Sequence, residues 1–250
     1  MTIHEFGKKN KEILLLIHPS IVKWDYFEYV IPLLEKRYHL IIPALPGYDF
    51  DQDSDFTSVE EIAHELNKWL LKNKYKEIYA VYGCSMGGSI SLLCTLENSV
   101  NIKHCIMDGG ITPYQLPWII TRFIALKDFC MMMIGKIGGV GLLEKAFATD
   151  NYSKEDLVYV AEVLKHCSKK TIWRTFDSCN NYKLPKSTSN ITTTIHYWYA
   201  DKEEKERKKD ICFMKERFPE TKFTVLSNLG HGGFVLLKPE IFVKMIDTLK

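Results

Sequence analysis

The sequence predicts an α/β protein with a mostly parallel central sheet, helices on both faces and a helical cap. Short, continuous apolar runs alternate with segments of helical periodicity, which is the pattern of parallel strands covered on both faces. Between residues 112 and 190 the alternation stops and only helical patterns are present. We therefore predict a core domain of residues 1–111 and 191–250, with residues 112–190 inserted as a cap over the sheet edge where ligands bind.

Strands are predicted where apolar residues run together and are followed by Gly, Pro, Asp or Asn. The first such run is Ile13–Ile17, and the second, residues 39–43, is closed by a proline. Four more runs follow along the chain, at residues 78–83, 104–108, 195–199 and 223–226. Their alternation with helical segments, interrupted only between residues 112 and 190, predicts that they lie side by side in one sheet.

Helices are predicted between these strands. Residues 57–61, Thr-Ser-Val-Glu-Glu, form a capping-box pattern that starts the first long helix. Another helix begins at Ser85, directly after the strand at 78–83. Residues 203–218 are charged on most helical faces, which we interpret as a solvated surface. Residues 239–249 carry an apolar stripe and close the chain with a packed helix.

Composition excludes several classes of protein. The 33 Lys and Arg nearly balance the 31 Asp and Glu, so we expect no nucleic-acid partner. Seven cysteines without C-x-x-C spacing indicate neither a disulfide framework nor a metal site, and a reduced, cytoplasmic protein is predicted. The apolar stretch at 118–143 is interrupted by charges and glycines, so no membrane span is expected. A homodimer is left open.

The most informative motif is Gly-Cys-Ser-Met-Gly at residues 83–87. A nucleophile on a sharp turn from strand to helix needs small residues two positions before and two positions after it, and Ser85 meets this requirement. Cys84 does not, because Tyr82 and Met86 would then occupy those positions. The motif therefore predicts Ser85 as a nucleophile, with the helix N-terminus favouring negative charge beside it.

With this motif, the chain resembles the α/β-hydrolase fold enzymes of the lidded serine esterase and lipase type. The resemblance runs from Ile13 to the last helix and is weakest in the cap. The family order of nucleophile, acid and base implies Ser85, Asp201 and His231. Asp201 follows the strand at 195–199, and His231 lies in a glycine-rich turn after the last strand. Asp108 also ends a strand and is the alternative acid, since some relatives place the acid there.

The resemblance also implies an oxyanion hole made of two backbone N–H groups. One belongs to Met86, the residue after the nucleophile. The other comes from the loop after the first strand, where the family usually has His-Gly and this chain has His18 and Pro19. Proline has no N–H to donate. Ser20 therefore matches the donor position, with Ile21 as the second choice.

The implied activity is hydrolysis of carboxylic esters with small to medium apolar acyl or alcohol groups, through an acyl-enzyme on Ser85. No metal or organic cofactor is implied, and the expected partner is a small-molecule ester. One alternative is an amidase or aminopeptidase, which needs a cap carboxylate near the nucleophile; the candidates are Glu144, Glu155, Asp156 and Glu162. A ligand-binding protein of the same fold without turnover is the other alternative.

Overall fold

The structure is a computed structural model that describes residues 1–113, 116–146, 153–185 and 191–249. Seven strands of this described part form one sheet, in the order β1-β3-β2-β4-β5-β6-β7. β1 is antiparallel to β3, and all other neighbours are parallel. The prediction of a mostly parallel sheet is confirmed. The strands are β1 (Thr2–Phe6), β2 (Ile13–Ile17), β3 (His39–Ala44), β4 (Glu77–Cys84), β5 (Asn101–Asp108), β6 (Thr194–Ala200) and β7 (Lys222–Leu226).

The helices of the described residues flank this sheet. Before β6 in the chain they are α1 (Ile31–Leu34), α2 (Val59–Lys72), α3 (Met86–Glu97), α4 (Trp118–Gly138), α5 (Val140–Ala146), α6 (Lys154–His166) and α7 (Lys169–Asn181). After β6 they are α8 (Glu204–Arg217), α9 (Phe234–Leu237) and α10 (Pro239–Asp247). None of the helices in the described ranges combines the length and hydropathy needed to cross a membrane.

The central strands are apolar throughout because both faces of the sheet are covered. Leu15 and Ile17 of β2 pack into one buried cluster with side chains of α2 and α3. Leu14 and Leu16 point the other way, into a second cluster that includes residues of α1 and α10. Because side chains on both faces of such a strand are buried among apolar groups, its residues are apolar at every position instead of at every second one.

One strand is missing from the sequence-based expectation. β1 pairs with β3 at the edge of the sheet, and all five of its residues are partly exposed. Its sequence, Thr-Ile-His-Glu-Phe, places a polar or titratable residue between apolar ones. Because this pattern lacks a continuous apolar run, the criterion that finds the central strands does not detect it.

Four helices, α4 to α7, lie in the chain between β5 and β6. α7 joins this helical segment to the core, since the Thr171 hydroxyl accepts a bond from the Phe56 N–H at 3.1 Å. In the same helix, Thr175 shares a hydrogen bond of 2.8 Å with the buried Tyr48 hydroxyl. The domain limits at residues 112 and 190 stay a prediction, and residue 190 itself lies outside the described residues.

Candidate active site

Ser85 lies at the tight turn between β4 and α3. Its backbone has φ +54° and ψ −116°, a conformation that side chains other than glycine rarely adopt. The Ser85 N–H donates to the Asp108 carbonyl oxygen at 2.8 Å, so the turn is attached to the end of β5. The strained turn holds Ser85 at the carboxyl edge of the sheet, where its side chain keeps a small exposed fraction of 7%.

The two flanking glycines are required by close backbone contacts. A Cβ atom on Gly83 would lie 2.0 Å from the Gly87 carbonyl oxygen. A Cβ on Gly87 would lie 2.3 Å from the carbonyl oxygen of Ile17, at the end of β2. These distances leave no room for any side chain. Cys84 is fully buried, and burial raises the pKa of its thiol well above the ordinary value, so it remains an un-ionised packing residue.

His231 lies in the loop between β7 and α9, beside the turn that carries Ser85. Its imidazole packs over Gly109, where an added Cβ would meet two ring atoms at 2.9 Å. Gly109 directly follows the residue that accepts the Ser85 N–H. The loop is held from the other side by Tyr26, whose hydroxyl donates to the Gly232 carbonyl oxygen at 2.8 Å. The fold therefore brings the end of the chain to the same sheet edge as Ser85.

The partner of His231 is Glu203, which the sequence analysis did not select. His231 Nδ1–H donates to Glu203 Oε2 at 2.5 Å, and the Ala200 N–H donates to the other carboxylate oxygen at 3.0 Å. Burial acts to raise the pKa of Glu203. The bond and charge of His231, the Ala200 N–H and Arg207 outweigh that effect and keep its pKa below the ordinary value. Glu203 is thus ionised and aimed at the imidazole.

The expectation that Asp201 contacts the imidazole is corrected by this geometry. Asp201 lies on the surface, and its carboxylate accepts the Asn228 N–H at 2.8 Å and the Leu229 N–H at 3.2 Å. These bonds, of which the one from Asn228 is the strongest influence, lower the pKa of Asp201. The residue connects the loop after β6 to the loop that carries His231. Through these two bonds Asp201 fixes the backbone of the loop that carries His231.

The interpretation of residues 203–218 as a solvated charged surface is also wrong for part of the segment. Glu203 and Asp210 are buried, at 6% and 4% exposed. Arg207 lies between them, with its guanidinium 3.2 Å from Asp210 and 3.8 Å from Glu203. This arrangement places a row of charged residues, about two helical turns long, behind the Glu203 carboxylate that contacts the imidazole. The spacing of three and four residues is the sequence signal that places these three charged side chains on one helix face.

Asp108, the alternative acid, has a different partner. Its Oδ2 accepts the Tyr82 hydroxyl at 2.6 Å. Burial raises the pKa of Asp108 to about 7, with the Tyr82 bond opposing this rise and the Glu203 charge adding to it. Asp108 therefore lies next to the His231 and Glu203 pair, and the charge of His231 opposes the rise of its pKa. It remains a second carboxyl group at the edge of the site.

The loop after β2 adjoins the serine turn. The carbonyl oxygens of Ile17 and His18 approach Gly87 so closely that an added Cβ would meet them at 2.3 and 2.9 Å. His18 is buried, accepts the Leu45 N–H at 3.2 Å and donates through Nδ1 to the Pro19 carbonyl oxygen at 2.8 Å. Burial lowers the pKa of His18 to about 4, so its neutral ring shapes the loop.

The two predicted oxyanion donors lie on either side of this contact. Met86 is the first residue of α3, and the first N–H groups of a helix have no partner within the helix. Ser20 follows Pro19 in the adjoining loop. Ile21 has φ +59°, and its N–H interacts with the buried Tyr48 hydroxyl. The roles of Met86, Ser20 and the second choice Ile21 stay predictions.

A cavity of about 580 Å³ opens beside His231. Its walls come from the loop at residues 22–29, from the His231 loop and α9, and from the start of α6. Most wall side chains are apolar or aromatic, which is typical of small-molecule sites. Among the described residues, no group of three or more His, Cys, Asp or Glu side chains is arranged to hold a metal ion. The carboxylates on the wall are Asp25, Glu28, Glu155 and Asp156.

Comparisons with known proteins agree with this architecture. The sequence model of a family described as alpha/beta hydrolase fold matches residues 13–133. An alpha/beta hydrolase family protein from Desulfitobacterium hafniense superposes with a TM-score of 0.77 and 19% identity, covering 98% of each chain. A comparison with curated proteins gives no significant match.

Two further solved structures are similar. A carboxylesterase structure from the thaumarchaeon Nitrososphaera gargenis has a TM-score of 0.77 and 18% identity, covering 98% of this chain and 92% of the other. MenH from S. aureus also has a TM-score of 0.77, with 19% identity and coverage of 98% and 96%. At these identities the likeness concerns the fold.

Proposed function

The chain has the α/β-hydrolase fold, and from this premise we propose that it is a serine hydrolase that cleaves carboxylic esters with small to medium apolar groups. The observation that supports the proposal is the 2.5 Å bond between His231 and Glu203, with the imidazole packed over Gly109, the residue after the one that accepts the Ser85 N–H. A serine hydroxyl is too weak a nucleophile without a base that takes its proton. Imidazole aligned by a carboxylate is such a base.

In the proposed reaction, Ser85 Oγ attacks the ester carbonyl carbon while His231 Nε2 takes the hydroxyl proton. The oxygen of the tetrahedral intermediate accepts the N–H groups of Met86 and Ser20. The C–O bond to the alcohol then breaks, and His231 returns its proton to the leaving oxygen. A water molecule, deprotonated by His231, releases the acid and restores Ser85. Glu203 holds the imidazole tautomer with Nε2 facing the serine and stabilises the imidazolium.

The proposal is tested by turnover of p-nitrophenyl acetate and butyrate, together with covalent labelling by a fluorophosphonate. We expect both signals from the purified protein and neither from the Ser85→Ala variant, which removes only a hydroxyl. Folding of both proteins is checked by circular dichroism. A folded wild-type protein with no turnover and no label would contradict the proposal and favour a ligand-binding role.

A second candidate is an amidase or aminopeptidase of the same fold, and one observation favours it. Glu155 and Asp156, at the start of α6, line the cavity beside His231. A carboxylate at that place is suited to bind a substrate ammonium group. Aminoacyl-p-nitroanilides assayed beside the esters separate the two candidates. Higher kcat/KM for the anilides, lost in Glu155→Gln but kept in the cap variant Glu162→Gln, would favour the amidase.

A further inference from the structure

The side of α4 that is turned away from the cap interior is apolar along its whole length. We define the outer face of α4 as Ile119, Phe123, Leu126, Cys130, Ile134 and Ile137. These positions are separated by three or four residues and so form one stripe along the helix. All six are exposed, with Phe123 at 67% and Ile137 at 82%. The stripe spans about 30 Å at 1.5 Å per residue.

Two charged residues of α4, Arg122 and Lys136, are turned away from this face. Arg122 forms an ion pair with Asp177 of α7. The Lys136 ammonium group donates to three carbonyl oxygens at the end of α6, at 2.6 to 2.8 Å. The helix thus directs these two charged side chains toward its neighbouring helices and presents a continuous apolar stripe to solvent, which is the reverse of an ordinary surface helix.

An exposed apolar face that runs the length of a helix indicates a surface that contacts another molecule. The largest apolar patch on a typical monomer is about 300–600 Å². Trp118, which is exposed at the start of the same helix, adds further apolar surface to the outer face of α4. Exposed aromatic side chains at a helix end are typical of contact with a membrane interface. The occupant is either a lipid surface or another protein surface of matching shape.

The distribution of charge favours an anionic lipid surface. Residues 112–190 contain 11 Lys and Arg against 7 Asp and Glu, while the whole chain has 33 against 31. The cap segment therefore carries a net charge of +4 and the rest of the chain −2. Basic residues near an apolar helix face strengthen binding to anionic lipids. Two copies meeting through this face would instead bring two positive caps together.

We propose that the outer face of α4 binds an anionic lipid surface, with the helix lying in the plane of the interface. This inference rests on the exposed face and the charge of the cap, and it does not depend on the hydrolase activity. Lys127, at the margin of the stripe with a side chain 72% exposed, extends its ammonium group toward the lipid headgroups.

The exposed cysteines provide a matched pair of reporters. Cys130 is on the outer face, Cys212 is exposed on α8, and the other five cysteines are buried. A polarity-sensitive dye is placed on Cys130 in the Cys212→Ser protein, and on Cys212 in the Cys130→Ser protein. With phosphatidylcholine vesicles that contain phosphatidylglycerol, we expect a blue shift for the dye on Cys130 and none for the dye on Cys212. Equal responses from both positions would overturn the proposal.

Vesicle sedimentation of the full chain gives the quantitative test. We expect the double variant with Phe123→Glu and Ile134→Glu to have a partition coefficient onto the vesicles that is lower by roughly tenfold or more. Two apolar side chains are replaced by carboxylates, which the anionic lipids repel. The control is Val225→Glu with Ile241→Glu, which adds the same charge at exposed apolar positions of β7 and α10. All substituted positions are exposed, so thermal unfolding should stay unchanged.

The proposal fails if the wild-type protein does not bind these vesicles, or if both double variants bind equally well. Sedimentation velocity without lipid tests whether a second copy of the chain covers the outer face of α4. If the wild-type protein is a dimer that Phe123→Glu with Ile134→Glu converts to a monomer, the face is covered by a second copy and the lipid proposal is overturned. A wild-type monomer supports the proposal.

Discussion

Two carboxylates only two residues apart act on His231 in different ways. After β6 the chain turns through a short 3-10 helix, Asp201–Glu203. That turn points Glu203 back toward the end of the strand, where its carboxylate bonds the Ala200 N–H and the imidazole. Asp201 stays outside and bonds the backbone of the His231 loop. One carboxylate aligns the ring, and the other positions the loop that carries it.

The sequence could predict that an acid follows β6, but it could not select between these two residues. Both lie just beyond the strand, and both have side chains able to accept an N–H. The choice depends on whether the chain leaves the strand extended or turns at once into a 3-10 helix. A single turn decides which side chain faces inward, and residue types alone do not determine that turn.

We expect Glu203→Gln to lower kcat for p-nitrophenyl esters by about 10²–10⁴-fold, because an amide no longer holds the imidazole tautomer or stabilises the imidazolium. Asp201→Asn should change kcat only a few-fold, because its amide oxygen can still accept a backbone N–H. Steady-state kinetics of the two variants beside the wild type measure this difference. A large loss in Asp201→Asn with a normal Glu203→Gln enzyme would reverse the assignment.

Asp108 should give the protein a measurable pH dependence of stability. Burial raises the pKa of this carboxyl from 3.8 to about 7, so between these values the folded chain binds a proton that the unfolded chain releases. The free energy of unfolding therefore falls as the pH rises from about 4 to about 7, by an amount on the order of a few kcal/mol. The stabilisation is complete below the unfolded pKa and is lost above the folded one.

Urea unfolding at several pH values measures this contribution. We expect Asp108→Asn, which keeps an oxygen to accept the Tyr82 hydroxyl, to have a flatter dependence than the wild type between about pH 4 and pH 7. Any fixed cost of the substitution cancels, because only the slopes are compared. Identical slopes in the two proteins would mean that Asp108 does not titrate in this range.

At the scale of the element, the turn between β4 and α3 is packed too closely for a side chain at its flanking glycines. Gly87 lies against the end of β2, and an added methyl group would meet backbone atoms at 2.3 Å. We expect Gly87→Ala to lower the free energy of unfolding by about 1–3 kcal/mol or more, because backbone cannot move aside as a flexible side chain does. Thermal and urea unfolding measure the loss.

Gly141→Ala in α5 is the matched control. A Cβ at Gly141 meets nothing within 4 Å, and alanine is the better helix former by about 1 kcal/mol. We therefore expect this variant to be as stable as the wild type or slightly more stable. If Gly87→Ala is equally stable, the close approach of β2 to the turn is not a constraint on the fold.

The strands with continuous apolar runs are the ones that the sequence identifies, and these include β7, which is largely exposed or half-buried. The central strands β2 to β6 are covered on both faces, and their apolar runs identify them from the sequence. The edge strand β1 is half exposed and is missed. α8 appears solvated in the sequence because most of its surface is, whereas Glu203, Arg207 and Asp210 face inward around the His231 loop. Burial of charged groups depends on tertiary partners, which a local pattern does not contain.

At the scale of the whole molecule, the helices α5 to α7 share an apolar cluster with the sheet and add polar contacts to it. The core buries a continuous sheet between two apolar clusters. The contacts of α6 with the loop at residues 22–29 include polar ones. The Tyr159 hydroxyl donates to Asp25 and accepts the Lys23 N–H at 2.9 Å. Tyr159 and Asp25 of this polar joint both line the cavity beside His231.

We expect Tyr159→Phe to release α6 from the core while the sheet stays unchanged. The lost hydroxyl leaves the Asp25 carboxylate and the Lys23 N–H without this partner, at a cost of about 1–3 kcal/mol. Because local opening sets amide exchange, hydrogen exchange in α6 should become roughly tenfold faster or more, with β4 and β5 unaffected. Tyr29→Phe is the control, since Tyr29 lines the same cavity with an exposed side chain. If exchange in α6 is the same in both variants, apolar packing holds the cap closed and the polar joint only orients it.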